Sequence, residues 1–199
     1  AYRFIAESCR GKQVLEAGSG EGYGGAMLAA AGATVTCVDY DASAVEHTRR
    51  RYPELTMIAG NLVDLPLPDE SVDVVVMHSV AQYVPPQELD ALFRLFRKLL
   101  KPGGLFVLGD VIPRKVSALT DAMALLRFGS EEGFTWPALK GLVRTRFSNY
   151  WQLRKSLGLE RYDEGEITAK IEAVGFSVQR ARSNIGHNAK RMTFLAHAR

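Results

Sequence analysis

The chain has 199 residues, of which 47% are hydrophobic and 24% charged, so composition predicts one globular domain with a sizeable core. No apolar run is long enough to span a bilayer, no signal peptide is visible, and the two cysteines have neither a disulfide pattern nor metal-ligand spacing. We therefore expect a cytoplasmic protein with no membrane span and no metal site. The net charge of +3 is uneven, because residues 1–112 carry 10 basic and 14 acidic residues whereas residues 113–199 carry 15 basic and 8 acidic. A solvated face or an attraction for an acidic substrate would explain the basic half.

The first predicted elements are a helix over residues 2–10, with Phe4 and Ile5 facing inward, and a strand over residues 13–16. A glycine-rich turn follows the strand and leads into a helix over residues 24–31. Alternate glycines allow a tight turn and leave no Cβ between the backbone and a ligand, and the helix start offers unpaired N–H groups. This stretch predicts a site for a polar small molecule at the carboxyl end of a strand.

The second strand is predicted over residues 34–39, an apolar and β-branched run typical of a strand buried on both faces. It ends at Asp39, whose carboxylate can accept hydrogen bonds from both ribose hydroxyls of an adenosine cofactor. Asp41 is the better N-cap for the next predicted helix, over residues 42–52.

The third and fourth strands are predicted over residues 55–59 and 71–77. The first polar groups placed to face a ligand there follow the fourth strand and are His78, Ser79, Gln82 and Tyr83. His78 could act as a general base, since an unperturbed imidazole titrates near neutrality, or it could pack without a chemical role. We predict Ser79 as part of a substrate pocket and Tyr83 as one of its walls.

A helix with one apolar stripe begins at Pro86, and the run Lys101–Gly104 is predicted to end it. A fifth strand over residues 105–111 follows, and we expect its Asp110 to face the pocket. Residues 113–162 then break the alternation of strands and helices and are predicted to be helical. Substrate contact, an ordinary helical cap and a dimer face are all consistent with this segment, so a homodimer is an open alternative.

Regular structure returns at Asp163, which is predicted to cap a final helix. Two strands over residues 176–183 and 192–198 follow it. His187 and Asn188 are predicted to lie in a surface loop between these two strands.

Residues 16–22 form the pattern E-x-G-x-G-x-G, and Asp39 closes the next strand. This combination resembles motif I of the class I S-adenosylmethionine-dependent methyltransferases. The resemblance continues in order through GNLVDLPL at residues 60–67 and LKPGG at residues 100–104, which a chance glycine cluster would not do. In that family a longer helical segment usually precedes motif I, so we expect part of a substrate-covering cap to be absent from this chain.

The resemblance covers residues 12–112 through motifs and residues 163–199 through topology. It implies an α/β fold, a Rossmann-like seven-stranded sheet in the order 3-2-1-4-5-7-6 with helices on both faces. Residues 1–199 would form a single methyltransferase domain, with residues 113–162 as a helical cap inserted after strand five.

The cofactor implied by the resemblance is S-adenosylmethionine. The glycine turn would hold its amino acid part, Asp39 its ribose, and Asn61 with the Leu62 backbone its adenine, against which Tyr40 would pack. Asn61 departs from the acidic residue of the family, although an amide oxygen can still accept a weaker hydrogen bond from adenine. A turn residue is the alternative interpretation of Asn61. The predicted cofactor-binding residues are Glu16, Gly18, Ser19, Gly20, Gly22, Asp39, Tyr40, Asn61, Leu62 and His78.

The implied function is methyl transfer to a small-molecule acceptor, acidic or lipid-like, with His78 as the one candidate catalytic residue. Three alternatives stay open. The spacing Gly20-x-Gly22-x-x-Gly25 also fits the fingerprint of an NAD(P)-dependent oxidoreductase. A Rossmann-like binding module without catalysis would keep the same fold, and RNA methylation is disfavoured because no RNA-binding appendage is recognisable.

Overall fold

The computed structural model describes residues 2–116, 159–186 and 188–199, which form one sheet flanked by helices. Its strands are β1 (Gln13–Ala17), β2 (Thr34–Asp39), β3 (Thr56–Ala59), β4 (Val72–His78), β5 (Leu100–Val111), β6 (Phe176–Arg180) and β7 (Met192–Ala198). Its helices are α1 (Arg3–Cys9), α2 (Tyr23–Ala30), α3 (Ala42–Arg51), α4 (Pro86–Leu99) and α5 (Glu164–Glu172), with a 3-10 turn at Ala81–Tyr83. The strand order is β3-β2-β1-β4-β5-β7-β6, so the predicted fold class and order are confirmed.

Strand direction decides where a ligand can bind. Strands β1 to β5 are parallel to one another, whereas β7 lies antiparallel between β5 and β6. The carboxyl ends of β1 to β5 and the amino end of β7 therefore meet at one edge of the sheet. Ligands of open α/β sheets bind at that edge.

The sheet separates two hydrophobic clusters, and its central strands contribute to both. In β1, Val14 packs in the cluster that contains Leu28 of α2, whereas the next residue, Leu15, packs in the cluster that contains Phe93 of α4. The apolar stripe predicted for α4 is confirmed, because it buries Leu89, Leu92, Phe93, Phe96 and Leu99. Among the described residues, no helix is both long and apolar enough to cross a bilayer.

Several predicted details are wrong, each for a physical reason. Phe4 does not face inward but is 55% exposed, because α1 turns only its Ile5 and Cys9 side towards the core. Strand β5 begins at Leu100, directly after α4, since Leu100 already pairs with Val72 of β4. The run Lys101–Gly104, which was predicted to end α4, therefore belongs to β5, and the register of β5 against β4 shifts there.

The long segment predicted as helical, residues 113–162, can be assessed only at its two ends. Its residues 117–158 lie outside the described residues. At the ends, Pro113 and Tyr162 form an isolated parallel bridge, and the Tyr162 amide donates to the Ile112 carbonyl at 3.0 Å. The segment therefore leaves β5 and returns beside it at one place.

Candidate functional site

A pocket of about 740 Å³ opens at the carboxyl ends of the strands. The residues predicted to face the cofactor or substrate line it, except Gly22, Gln82 and Asp110. Sequence analysis missed several other lining residues: Tyr2, Tyr23, Gly24, Gly60, Val63, Val80, Val84, Glu88 and Leu92. A readable signal existed for Gly24, in the glycine-rich stretch, and for Gly60 and Val63, in the GNLVDLPL segment.

Bare backbone forms one side of the pocket, which we call the glycine wall (Gly18–Gly20 and Gly60). Gly18 and Gly20 adopt left-handed φ values of 79° and 52°, which glycine reaches without steric cost. No heavy atom lies within 4 Å of the place where a Cβ would stand on Gly20 or Gly60. The hydroxyl of Ser19 is buried close to the Cys37 thiol. This wall therefore offers open space and bare backbone to a ligand.

Gly22 contributes to the packing of α3 instead of lining the pocket. It has a φ of 73° at the start of α2, and a Cβ there would lie 2.3 Å from the Thr48 methyl carbon of α3. The Thr48 hydroxyl donates to the Gly20 carbonyl at 3.3 Å. Gly22 lets α3 approach the turn, and its predicted direct role at the cofactor stays a prediction.

Asp39 is placed as the sequence predicts and is held by backbone amides. Its Oδ2 accepts from the Gly20 amide at 2.7 Å, and its Oδ1 accepts from the Asp41 amide at 3.0 Å. The predicted cap is also present, since the Asp41 carboxylate accepts from the amides of Ser43 and Ala44. A carboxylate has about four acceptor sites, so the pocket-lining Asp39 keeps capacity for two hydroxyl donors.

Glu16 lies beneath the glycine turn in a buried polar cluster. The Tyr2 hydroxyl donates to its Oε1 at 2.6 Å, and the Cys37 thiol donates to its Oε2 at 3.4 Å. Burial raises the pKa of Glu16 above the ordinary carboxyl range, although these hydrogen bonds and one from the Gly25 backbone oppose the rise. A Cβ on Gly24 would lie 2.1 Å from Oε1, so glycine is required there for the carboxylate to fit.

The loop after β3 supports both interpretations of Asn61. Asn61 lines the pocket, and its Oδ1 also accepts from the Val63 amide at 3.2 Å, as a turn-forming asparagine does. Its amide oxygen is therefore already partly engaged. Leu62 lines the pocket beside it, and Tyr40 is 76% exposed at the pocket rim.

The segment after β4 forms another side of the pocket, which we call the serine wall (Ser79–Val84). Ser79 has a left-handed φ of 57° and turns its hydroxyl away from the ligand space to donate to Asp110 at 2.6 Å. The Gln82 side chain donates to the Ser79 carbonyl at 2.7 Å. Ser79, Val80, Tyr83 and Val84 line the pocket.

His78 lies at the base of the serine wall and is packed on both sides. Its ring meets the Tyr2 ring edge-on, with centroids 5.5 Å apart. A Cβ on Gly109 of β5 would stand 2.7 Å from its Nδ1. The imidazole therefore fills a closely fitted space at the pocket.

Two predictions about β5 and the final loop are wrong. Asp110 is only 2% exposed and does not line the pocket, because its carboxylate is bound by buried donors instead. Asn188 is not at the surface but is 2% exposed, and its carbonyl accepts from Asn184 at 2.9 Å. His187 lies outside the described residues. Within the described ranges, no group of three or more His, Cys, Asp or Glu side chains could hold a metal ion.

Comparisons with known proteins agree on one family. Residues 15–108 match the family model of the methyltransferase domain. A Mycolicibacterium smegmatis protein named probable S-adenosylmethionine-dependent methyltransferase is 44% identical over 108 residues, which cover 53% of the chain and 40% of that protein. The fatty-acid O-methyltransferase of the same species is 31% identical over 143 residues, which cover 67% of the chain and 51% of that protein. The chain thus spans about half or less of the length of these curated relatives.

Among solved structures, the magnesium protoporphyrin IX methyltransferase of Synechocystis PCC 6803, crystallised with bound SAH, has the same fold. It superposes with a TM-score of 0.69 at 18% identity, covering 100% of the chain and 80% of that structure.

Proposed function

The chain belongs to the class I S-adenosylmethionine-dependent methyltransferases, and on that premise we propose that it transfers a methyl group from this cofactor to a small-molecule acceptor. The observation that carries the proposal is the convergence of three strand ends on one pocket. The glycine turn follows β1, Asp39 ends β2 and Asn61 follows β3, and all three line the same space.

The residues present fit the cofactor. Asp39 keeps acceptor capacity for the two ribose hydroxyls after binding the Gly20 and Asp41 amides. Bare backbone at Gly20 and Gly60 allows close approach of the ligand. Buried Glu16 supplies an acceptor suited to the ammonium group of the amino acid part, and Leu62 and Tyr40 would flank the adenine.

S-adenosylmethionine supplies, when bound, a sulfonium whose methyl group is open to in-line attack by a nucleophile. The chain's contribution is to orient the acceptor and to exclude water, which together can provide much of the rate acceleration. A base is needed only when the acceptor must lose a proton, and His78 is the residue we propose for that case. Its tight packing against Tyr2 and Gly109 supports a packing role for acceptors that lose no proton.

The acceptor class follows from the chemistry of the serine wall. Val80 and Val84 line this part of the pocket together with Leu92 of α4, and an apolar lining favours an apolar ligand. We therefore propose a lipid-like acceptor, whose apolar part packs against this wall. The fatty-acid methyltransferase among the relatives is consistent with this choice.

We also propose that residues 1–199 form one domain and that residues 113–162 are an insertion beside the acceptor end. The bridge between Pro113 and Tyr162 supports a single point of insertion. The returning segment reaches the serine wall, since the Glu160 amide donates to the Gln82 carbonyl at 3.0 Å.

The test is calorimetric titration with S-adenosylhomocysteine, with NAD and NADP titrated in parallel. We expect micromolar binding of the homocysteine compound alone, followed by methylation of fatty acids or other apolar acceptors offered with the labelled cofactor. Binding of a nicotinamide cofactor instead would overturn the proposal. The antiparallel β7 already argues against that alternative, because the dinucleotide fold orders its parallel strands 3-2-1-4-5-6. Cofactor binding without turnover on any acceptor would favour the non-catalytic module.

A further inference from the structure

A buried ion pair lies directly behind the serine wall. Asp110, at the end of β5, and Arg191, just before β7, are joined by Nη1 and Oδ2 at 2.5 Å, and their side chains are 2% and 8% exposed. Neither residue lines the pocket. Antiparallel pairing explains why they meet, because the end of β5 lies beside the start of β7.

The acceptor sites of Asp110 are taken by three side chains from different parts of the chain. Oδ2 accepts from Arg191 and from the Ser79 hydroxyl, and Oδ1 accepts from the Asn184 amide at 2.7 Å. The backbone also closes over the carboxylate, since a Cβ on Gly186 would stand 2.2 Å from Oδ1. A buried carboxylate with a guanidinium and two neutral donors is well satisfied, so its geometry is fixed.

The link from this pair to the pocket runs through Ser79. Its hydroxyl binds Asp110 while its amide donates to the Gly109 carbonyl at 3.0 Å, so two bonds tie it to β5. Its φ of 57° is uncommon for a residue with a side chain and persists only where contacts enforce it. The Ser79 carbonyl in turn holds Gln82, which is 4% exposed and belongs to the same wall.

We propose that Asp110 and Arg191 are positioning residues for the pocket: through the Ser79 hydroxyl they hold the serine wall in the conformation that binds cofactor and acceptor. The expected effect on ligand binding rests on the proposed function, whereas the expected effect on the conformation of the serine wall does not. The carboxyl-terminal hairpin of β6 and β7 therefore helps to shape a pocket that neither strand lines.

The test compares Ser79→Ala and Asp110→Asn with the unchanged protein. Ser79→Ala removes only the linking hydroxyl and leaves the ion pair intact, so it remains informative if Asp110→Asn does not fold. Asp73→Asn is the matched control, because Asp73 pairs with Lys101 at 2.8 Å at the opposite end of β4 and does not line the pocket.

The first measurement is hydrogen–deuterium exchange of the peptide that covers the serine wall, which needs no ligand. The amides of Tyr83 and Val84 donate to Val80 and Ala81 in the 3-10 turn. We expect faster exchange of these amides in Ser79→Ala and Asp110→Asn and no change in Asp73→Asn. Unchanged exchange in a folded Ser79→Ala protein would overturn the proposal.

The second measurement is the Kd of S-adenosylhomocysteine, determined well below the unfolding temperature of each variant. We expect roughly tenfold weaker binding by Ser79→Ala, the scale of one hydrogen bond to a charged group. In the double variant the two effects should not add, because both break one linkage. A merely structural role would lower the Tm and leave the Kd within twofold of normal, which would contradict positioning. If the unchanged protein binds no S-adenosylhomocysteine, the proposed function fails, and the exchange experiment still decides the positioning role.

Discussion

The glycine wall and the serine wall both contain residues with a left-handed backbone, but different chemistry allows it in each. Gly18 and Gly20 reach left-handed φ values because they carry no Cβ. Ser79 and its partner Asp110 reach φ values of 57° and 65° with side chains attached, and the contacts of those side chains enforce them. The turn at Gly18–Gly20 is thus specified by consecutive residues, whereas the conformation of Ser79 depends on residues that are 31 and 81 positions apart. A strained backbone conformation is tolerated where several buried contacts enforce it.

The largest expected effect is a loss of stability when the buried pair of Asp110 and Arg191 is broken. Asp110→Asn should lower the free energy of unfolding by about 3–5 kcal/mol, because Arg191 is left buried without its counter-charge. Asp73→Asn, which breaks a partly exposed pair with Lys101, should lower it by about 1 kcal/mol or less. Urea denaturation measures both variants. Equal losses of unfolding free energy in the two variants would mean that the serine wall does not depend on burial of the pair of Asp110 and Arg191.

The next effect tests whether glycine is needed for packing as well as for φ. Gly22→Ala should cost about 2–3 kcal/mol, because the new methyl group meets Thr48 and the residue has a positive φ. Gly11→Ala has a similar φ of 70° and open space around it, so it should cost only about 1 kcal/mol. Adding Thr48→Ser to Gly22→Ala removes the contacting methyl group and should recover most of the difference in Tm. No recovery would assign the whole cost to backbone strain.

The third effect concerns the charge of Asp39, which accepts from the glycine wall. Asp39→Asn should weaken binding of S-adenosylhomocysteine about tenfold, since a charged acceptor is replaced by a neutral amide with one oxygen. Asp41→Asn is the matched control, because asparagine caps a helix as well as aspartate does and Asp41 does not line the pocket. Similar Kd values for the two variants would remove Asp39 from the site.

A smaller effect, a gain in ligand affinity, is expected from a substitution in the loop after β3. Asn61→Asp should tighten binding of S-adenosylhomocysteine about threefold, since one carboxylate oxygen can hold the Val63 amide while the other accepts from the ligand. Calorimetry at low salt would measure this gain. Unchanged or weaker binding would leave Asn61 as a turn residue only.

The smallest effect is a change in pH dependence beneath the glycine turn. Burial raises the pKa of Glu16, so the folded protein holds this proton more tightly than the unfolded chain does. Its contribution to stability is full below the ordinary carboxyl pKa of about 4.3 and is lost as pH rises through the raised pKa. The Tm of Glu16→Gln relative to the unchanged protein should therefore increase between about pH 4 and pH 8. A flat difference for Glu16→Gln would contradict a raised pKa.

The glycine turn was predicted from local patterns, whereas the sheet order was predicted from the resemblance of ordered motifs to a known family. Alternate glycines after an apolar strand, an acidic residue at the end of the next strand, and a helix with one apolar stripe are all readable over short spans. The serine wall was only partly predictable. Ser79 and Tyr83 were expected at the pocket, but nothing near Asp110 in sequence indicates that its carboxylate turns inward to Arg191, which lies beyond the segment after β5. Tyr2 was missed for the same reason, since its bond to Glu16 is a tertiary contact.

The antiparallel placement of β7 also sets an order of assembly. Residues 13 to 60, which include β1 to β3 and the whole glycine wall, make their contacts over short loops and can organise early. Pairing of β5 with β7 joins residues as distant as Leu105 and His197, so it closes a much longer loop. During synthesis the nascent chain would present a half-formed pocket with an unpaired edge of β5 until β7 is translated. During that interval the unpaired edge of β5 favours strand-to-strand aggregation, and the emergence of β7 ends it.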